Sequence, residues 1–244
     1  MAAKLKYDSS INVIGSIPDY SSMISFICEY CNKKPESEKS FSFRTHKTFA
    51  RFLSAINAAI LQFAKPTQKT IFINALSSND YSTREKSMVL FWQMIYGNKL
   101  FYRITKEVFM KAVYQGCISL TAIDILSLLH YIKESEPGEL AWSEATLKIT
   151  ASKYLTILKK LDLADGTINK EICYPIITSR LFEYFIRWTQ TIGPENRSID
   201  NPFMIFSFYD KQSLIERLKK IEFTPIWNIT QIGDNVTIDL INHE

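Results

Sequence analysis

A capped helix running straight into a tight hairpin restricts this chain more than any other feature. Residues 141–170 read AWSEATLKITASKYLTILKKLDLADGTINK. Ser143, just after Trp142, is the residue type whose side chain accepts from the free amides at a helix start. Leu147, Ala151, Tyr154, Leu155, Leu158 and Leu161 then share one side at helical spacing, with Ile149, Ser152, Lys153, Thr156, Lys159 and Lys160 opposite. Asp165-Gly166 is a hairpin signal, because a two-residue turn needs positive φ. Thr167 to Tyr174 reads as short strand material ending at Pro175. Such a segment suits the reading end of a winged helix-turn-helix, and equally a core helix with a solvated face.

The rest of the chain supplies helices around it. With 7 Gly and 8 Pro in 244 residues, turns are few, and long helices are favoured over a many-stranded fold. The pattern predicts helices over Asp19 to Tyr30, about 45–64, about 67–76 and about 82–97, with a polar loop at 32–40. A further helix is expected from a cap at Thr105 to a stop at Gly116. Thr121 with Asp124 marks the start of the next. Ile123, Ile125, Leu126, Leu128, Leu129 and Ile132 run most of the way round that helix, which predicts central burial.

Downstream, TSRLFEYFIRWTQTIG reads as a helix stopped by Gly193-Pro194, NPFMIFSF as a short apolar element and DKQSLIERLKKIEF as an amphipathic helix. The tail alternates apolar and polar residues on either side of Gly-Asp-Asn, the pattern of a β-hairpin. The expected fold is mainly α: a helical N-terminal region (1–100), a winged helix-turn-helix (101–176) and a second helix-plus-hairpin, wing-like module (177–244).

Charge is unevenly spread along these segments. The net charge of +4 decides little, but residues 1–100 carry 13 Lys and Arg against 7 Asp and Glu. Residues 101–176 carry nine of each, and 177–244 come to −2. No acidic residue occurs between Glu38 and Asp80, an interval holding Lys39, Arg44, Lys47, Arg51, Lys65 and Lys69. Within it, Phe49, Phe52, Leu53, Ile56, Ile60 and Phe63 make an apolar stripe. At about 100° per residue, Arg44, Lys47 and Arg51 gather on the other side, with Ser54 alongside. A solvated surface helix usually intersperses carboxylates for pairing. Their omission suits a polyanion, since each cation placed at a phosphate releases counterions.

Known catalytic signatures are missing: no Gly-rich phosphate loop, HExxH, GxSxG or paired-Cys zinc frame occurs. Cys28 and Cys31 form a CxxC, but a zinc site needs about four ligands. Only Cys117, Cys173 and the scattered His46, His130 and His243 remain. Reduced, half-buried thiols are the expectation, with no cofactor, metal or catalytic residue, and His130 reads as a core histidine. The N-terminal MAAKLKYDSS lacks an apolar signal core, and the charge-free stretch Phe52 to Ala64 is too short to span a bilayer. The chain therefore reads as cytoplasmic and off the membrane.

For DNA, Thr146, Lys148, Ile149, Ser152 and Lys153 occupy the positions from which a recognition helix reaches base edges and phosphates. The helix has no Arg, Asn or Gln, the side chains that read bases bidentately, so low sequence preference is expected. Winged helices also serve as protein-docking modules. No aromatic stacking platform for single-stranded RNA is evident.

The block from FYRITKEVFMKAVYQG to AWSEATLKITASKYLTILKKLDLADGTINKEICYPIIT resembles the BrxA family of bacterial BREX phage-defence systems. The likeness rests on Trp142, Ser143, Thr146, Lys148, Leu158, Leu161, Gly166, Lys170 and Pro175, and is strongest over about 100–180. An inner-membrane label once given to such proteins disagrees with the hydropathy. The resemblance implies a small, mostly helical, non-enzymatic protein that binds double-stranded DNA beside other BREX proteins. The expected phosphate contacts are Arg44, Lys47 and Arg51, helped by Lys148, Lys153, Lys159, Lys160 and the wing residue Lys170, with Thr146 and Ser152 facing the bases. The alternative is an adaptor whose winged helix docks another protein, anchored by Trp142 and the C-terminal hairpin.

Overall fold

In the computed structural model, residues 7–32, 45–167, 169–192 and 197–241 are described. Gly193-Pro194, expected to stop a helix, lies outside them, as does most of the 32–40 loop. The fold is mainly helical with two small antiparallel sheets.

The N-terminal segment builds α1 (Ser10–Ile14), α2 (Tyr20–Cys31), α3 (His46–Ala59), α4 (Pro66–Ser77) and α5 (Thr83–Gly97). Asp19 caps α2 by accepting from the amides of Ser21 and Ser22 at 2.9 and 3.0 Å. Ser82 and Glu85 form a reciprocal capping box on α5. The short helix α1 has no counterpart in the sequence reading. It lies in contact with α3, and its C-terminal Gly15 presses on a later helix.

After α5, the helix expected to be capped at Thr105 is capped seven residues earlier. Asn98 is its cap, accepting from the Phe101 amide at 2.7 Å, and α6 (Lys99–Ile104) follows. Asn98 also donates to Ser10 Oγ at 2.9 Å, tying α1 to this junction. The helix then passes through a π-helical turn, Thr105–Phe109, into α7 (Met110–Tyr114). Thr105 is buried in that turn and accepts from Tyr154 OH at 3.0 Å. Gly116 ends the helix in the left-handed conformation, φ 69°.

Next come β1 (Ser119–Leu120), α8 (Ala122–Ser135), α9 (Glu144–Lys160), β2 (Ala164–Asp165) and β3 (Lys170–Ile172). The sheet order is β1-β3-β2, with Ser119 opposite Glu171 and Ala164 opposite Ile172. The strand is shorter than the expected Thr167 to Tyr174. Helix α9 buries its whole predicted stripe. Helix α8 corrects the expectation of central burial: Ile125, Leu129 and Ile132 are buried, whereas Ile123 is 73% exposed. It packs against α9 and the π-helical turn and leaves its other side to solvent. His130 is no core residue either, standing half-exposed 3.1 Å from a Glu144 carboxylate oxygen.

The C-terminal segment supplies α10 (Ser179–Thr189), α11 (Lys211–Leu218) and the hairpin β4 (Trp227–Ile232) with β5 (Asn235–Leu240). Helix α10 packs on α4 and α5, and one continuous cluster of buried side chains includes residues of all three segments. Its polar centre is Gln93, fully buried and fully bonded. Its amide nitrogen donates to the Ile60 and Gln62 carbonyls at 2.8 and 2.7 Å, and its oxygen accepts from Gln68 at 3.1 Å. The end of α3 is thereby fastened to α5, in keeping with the demand that buried polar atoms find partners.

Candidate nucleic-acid interface

Helix α3 starts at Thr45, whose hydroxyl accepts from the Thr48 amide at 3.2 Å. Phe52, Ala55, Ile56 and Ala59 are buried, and Phe26 meets the Phe52 ring edge-on at 5.1 Å. The opposite face shows His46, Lys47, Arg51 and Ser54 to solvent. Among the described residues neither Lys47 nor Arg51 has an ion-pair or hydrogen-bond partner. Lys47 lies in the first turn, which contains no acidic residue. A cation there opposes the helix dipole, an arrangement that an external anion relieves. Arg44, the third expected phosphate contact, lies outside the described residues.

Helix α9 places its expected contacts less uniformly. Ser143 caps it, accepting from the Thr146 amide at 3.3 Å, and the Thr146 hydroxyl sits 3.0 Å from Ser143 Oγ. Thr146 is thus half-buried and already engaged in the cap. Lys148, Ile149 and Ser152 are exposed on the N-terminal half. Lys153 is half-buried against α1: a Cβ added at Gly15 would stand 2.8 Å from the Lys153 carbonyl oxygen.

The remaining lysines are taken up by the fold. Lys160 donates to the Gly15 carbonyl at 3.1 Å and to the Ile17 carbonyl, with its ammonium 5.5 Å from the Tyr20 ring centre. Burial, and then the neighbouring Lys153, push its pKa below the ordinary lysine value. Lys159 pairs with Asp165 at 2.9 Å, and that hydrogen bond is the main cause holding the Asp165 carboxyl below its usual range. Lys170, expected as an exposed wing contact, is buried; its ammonium donates to the Gly166 and Thr167 carbonyls at 2.6 and 2.7 Å.

Both cation-bearing helices pack on α1, so residues far apart in sequence share one support. The sequence reading missed this helix; its only signal was the short apolar run from Ile11 to Ile17, ahead of Pro18. No three His, Cys, Asp or Glu side chains among the described residues are grouped to hold a metal. Cys28 and Cys31 are half-buried free thiols on α2, both pushed up by burial. No described helix is long and apolar enough to cross a membrane.

Comparison with known proteins gives a match to the BrxA family model over residues 38–188, well over half of the chain. That span begins just before α3 and ends within α10. No curated protein and no solved structure matches the chain.

Proposed function

The chain belongs to the BrxA family of BREX phage-defence components, and we propose that it is the non-enzymatic member that binds double-stranded DNA. In this reading the element order α6–α7, β1, α8, α9, β2, β3 is a winged helix-turn-helix, with the β2–β3 hairpin as its wing. Residues 1–100 add the basic helix, and 177–244 brace both from behind in a cytoplasmic protein. The observation that carries the proposal is the exposed pair Lys47 and Arg51, unpartnered among the described residues, on a helix without carboxylates. Lys148 and Lys153 extend the positive surface on α9. Phosphate contacts dominate such an interface, so affinity falls steeply with salt and depends weakly on sequence. Titrating labelled duplexes of unrelated sequence at several salt concentrations tests this. Affinity that ignores salt, or no binding at low salt, rejects it.

A second reading has its own observation. Among the described residues, seven of the ten exposed large hydrophobics fall within 101–176, including Ile118, Ile123, Tyr131, Ile149, Tyr174 and Ile176. Apolar exposure concentrated in one segment suits a protein-docking module. A BREX partner captured through Trp142 and Ile123, and indifferent to Lys47 and Arg51, would favour an adaptor.

A further inference from the structure

Lys170 opens β3, yet it is only 8% exposed. A lysine tolerates such burial only when its ammonium protons find acceptors. Its acceptors are the Gly166 and Thr167 carbonyls, both inside the hairpin turn. The turn presents them because Gly166 holds φ 95°; a Cβ there would stand 2.4 Å from the Asn169 carbonyl oxygen. A second ammonium reaches the same turn. Lys159, in the last turn of α9, donates to the same Gly166 carbonyl at 3.1 Å and to Asp165 at 2.9 Å. One carbonyl oxygen therefore receives two lysines, one from the helix and one from the returning strand.

We propose that Lys159 and Lys170 are positioning residues that clasp the β2–β3 turn before any duplex arrives, and that neither holds a phosphate. The functional consequence rests on the DNA-binding reading; the clasp itself does not. A turn fixed in advance lowers the ordering cost of docking. It meets DNA with the Gly166 and Thr167 carbonyls already held, and phosphate neutralisation on this side falls to Lys148 and Lys153.

Two measurements on the full chain test the clasp, using Lys170→Met and Lys159→Met. Hydrogen exchange by mass spectrometry reads the peptide spanning 164–172 without DNA. Exchange there is expected to quicken severalfold in Lys170→Met and less in Lys159→Met. Duplex titration between about 50 and 200 mM salt is expected to show weaker binding with an unchanged slope of log K against log salt. A slope shallower by about one per lysine removed, with turn exchange unchanged, would identify phosphate contacts and overturn the proposal. Unchanged exchange in both variants overturns it whatever the DNA result. If the wild-type chain binds no duplex, the proposed function fails, while exchange still decides the clasp. Should Lys170→Met not fold, Lys159→Met carries the test alone, since its side chain is 46% exposed in the wild type.

Discussion

Helices α3 and α9 stand on the same small helix, α1, and use their cations differently. Helix α9 carries four lysines, and two of them are taken up by the fold: Lys159 by Asp165 and Gly166, Lys160 by the Gly15 and Ile17 carbonyls at and just after the end of α1. Helix α3 carries only Lys47 and Arg51, and both face solvent, without a partner among the described residues. Fewer charges are therefore the more available ones. Formal charge along a sequence counts what a helix owns; the fold decides what it can offer to a phosphate.

The largest expected effect breaks this comparison directly. Replacing Arg44, Lys47 and Arg51 together by Ala should lower duplex affinity about 100-fold near 0.1 M salt and cut the salt slope by about 2 to 3. Replacing Lys159 and Lys160 by Ala should leave the slope nearly unchanged. If the α9 pair flattens the slope more than the α3 set, the assignment of available charge is reversed.

The next effect acts on the shared support. Gly15→Ala would place its Cβ 2.8 Å from the Lys153 carbonyl oxygen and 2.9 Å from Lys153 Cβ. Forcing α1 away from α9 should cost about 1–3 kcal/mol, or a fall in melting temperature of about 2–12 °C for a chain of this size. A calorimetric scan indistinguishable from wild type would show that α1 does not hold the two helices in register. Lys160→Met should cost less, about 1–2 kcal/mol, because it removes hydrogen bonds to the Gly15 and Ile17 carbonyls without adding bulk. Thermal melts of the two variants should rank in that order.

What the sequence disclosed follows the same division. The stripe of α9 was legible because a 3.6-residue period assigns faces without knowledge of neighbours, and all six stripe residues are buried. The C-terminal hairpin was legible because alternation around Gly233-Asp234 allows few other structures. Helix α8 was not: its apolar residues nearly circle it, but among the described residues no element covers one side, so Ile123 stays exposed. Thr105 looked like a cap, since Thr is a cap residue type, while Asn98 holds that role and Thr105 lies buried under Tyr154. The fate of Lys160 and Lys170 was the least legible part. It depends on where the carbonyls of Gly15, Ile17, Gly166 and Thr167 point, a matter of backbone path rather than residue type. Arg44 keeps its place in the basic cluster on sequence grounds alone.

The smallest effect sharpens the comparison by freeing one α9 lysine without mutating it. Asp165 has its pKa lowered from 3.8, chiefly by the Lys159 hydrogen bond and then by the Gly166 amide. A carboxylate with a depressed folded pKa contributes fully above its unfolded value and loses that contribution as pH falls through the folded one. The ion pair is therefore intact near neutrality and begins to fail only below about pH 3.8. Exchange of the turn amides, corrected for its intrinsic pH dependence, should stay flat from about pH 7 to about pH 5 and rise beneath that threshold. Lys170 still grips the turn in acid, so the rise should be smaller than that caused by Lys170→Met at neutral pH. In Asp165→Asn the acid-induced rise should vanish, leaving exchange slightly raised at every pH. A rise that persists unchanged in Asp165→Asn would place the acid-sensitive group elsewhere and leave Lys159 held by the Gly166 carbonyl alone.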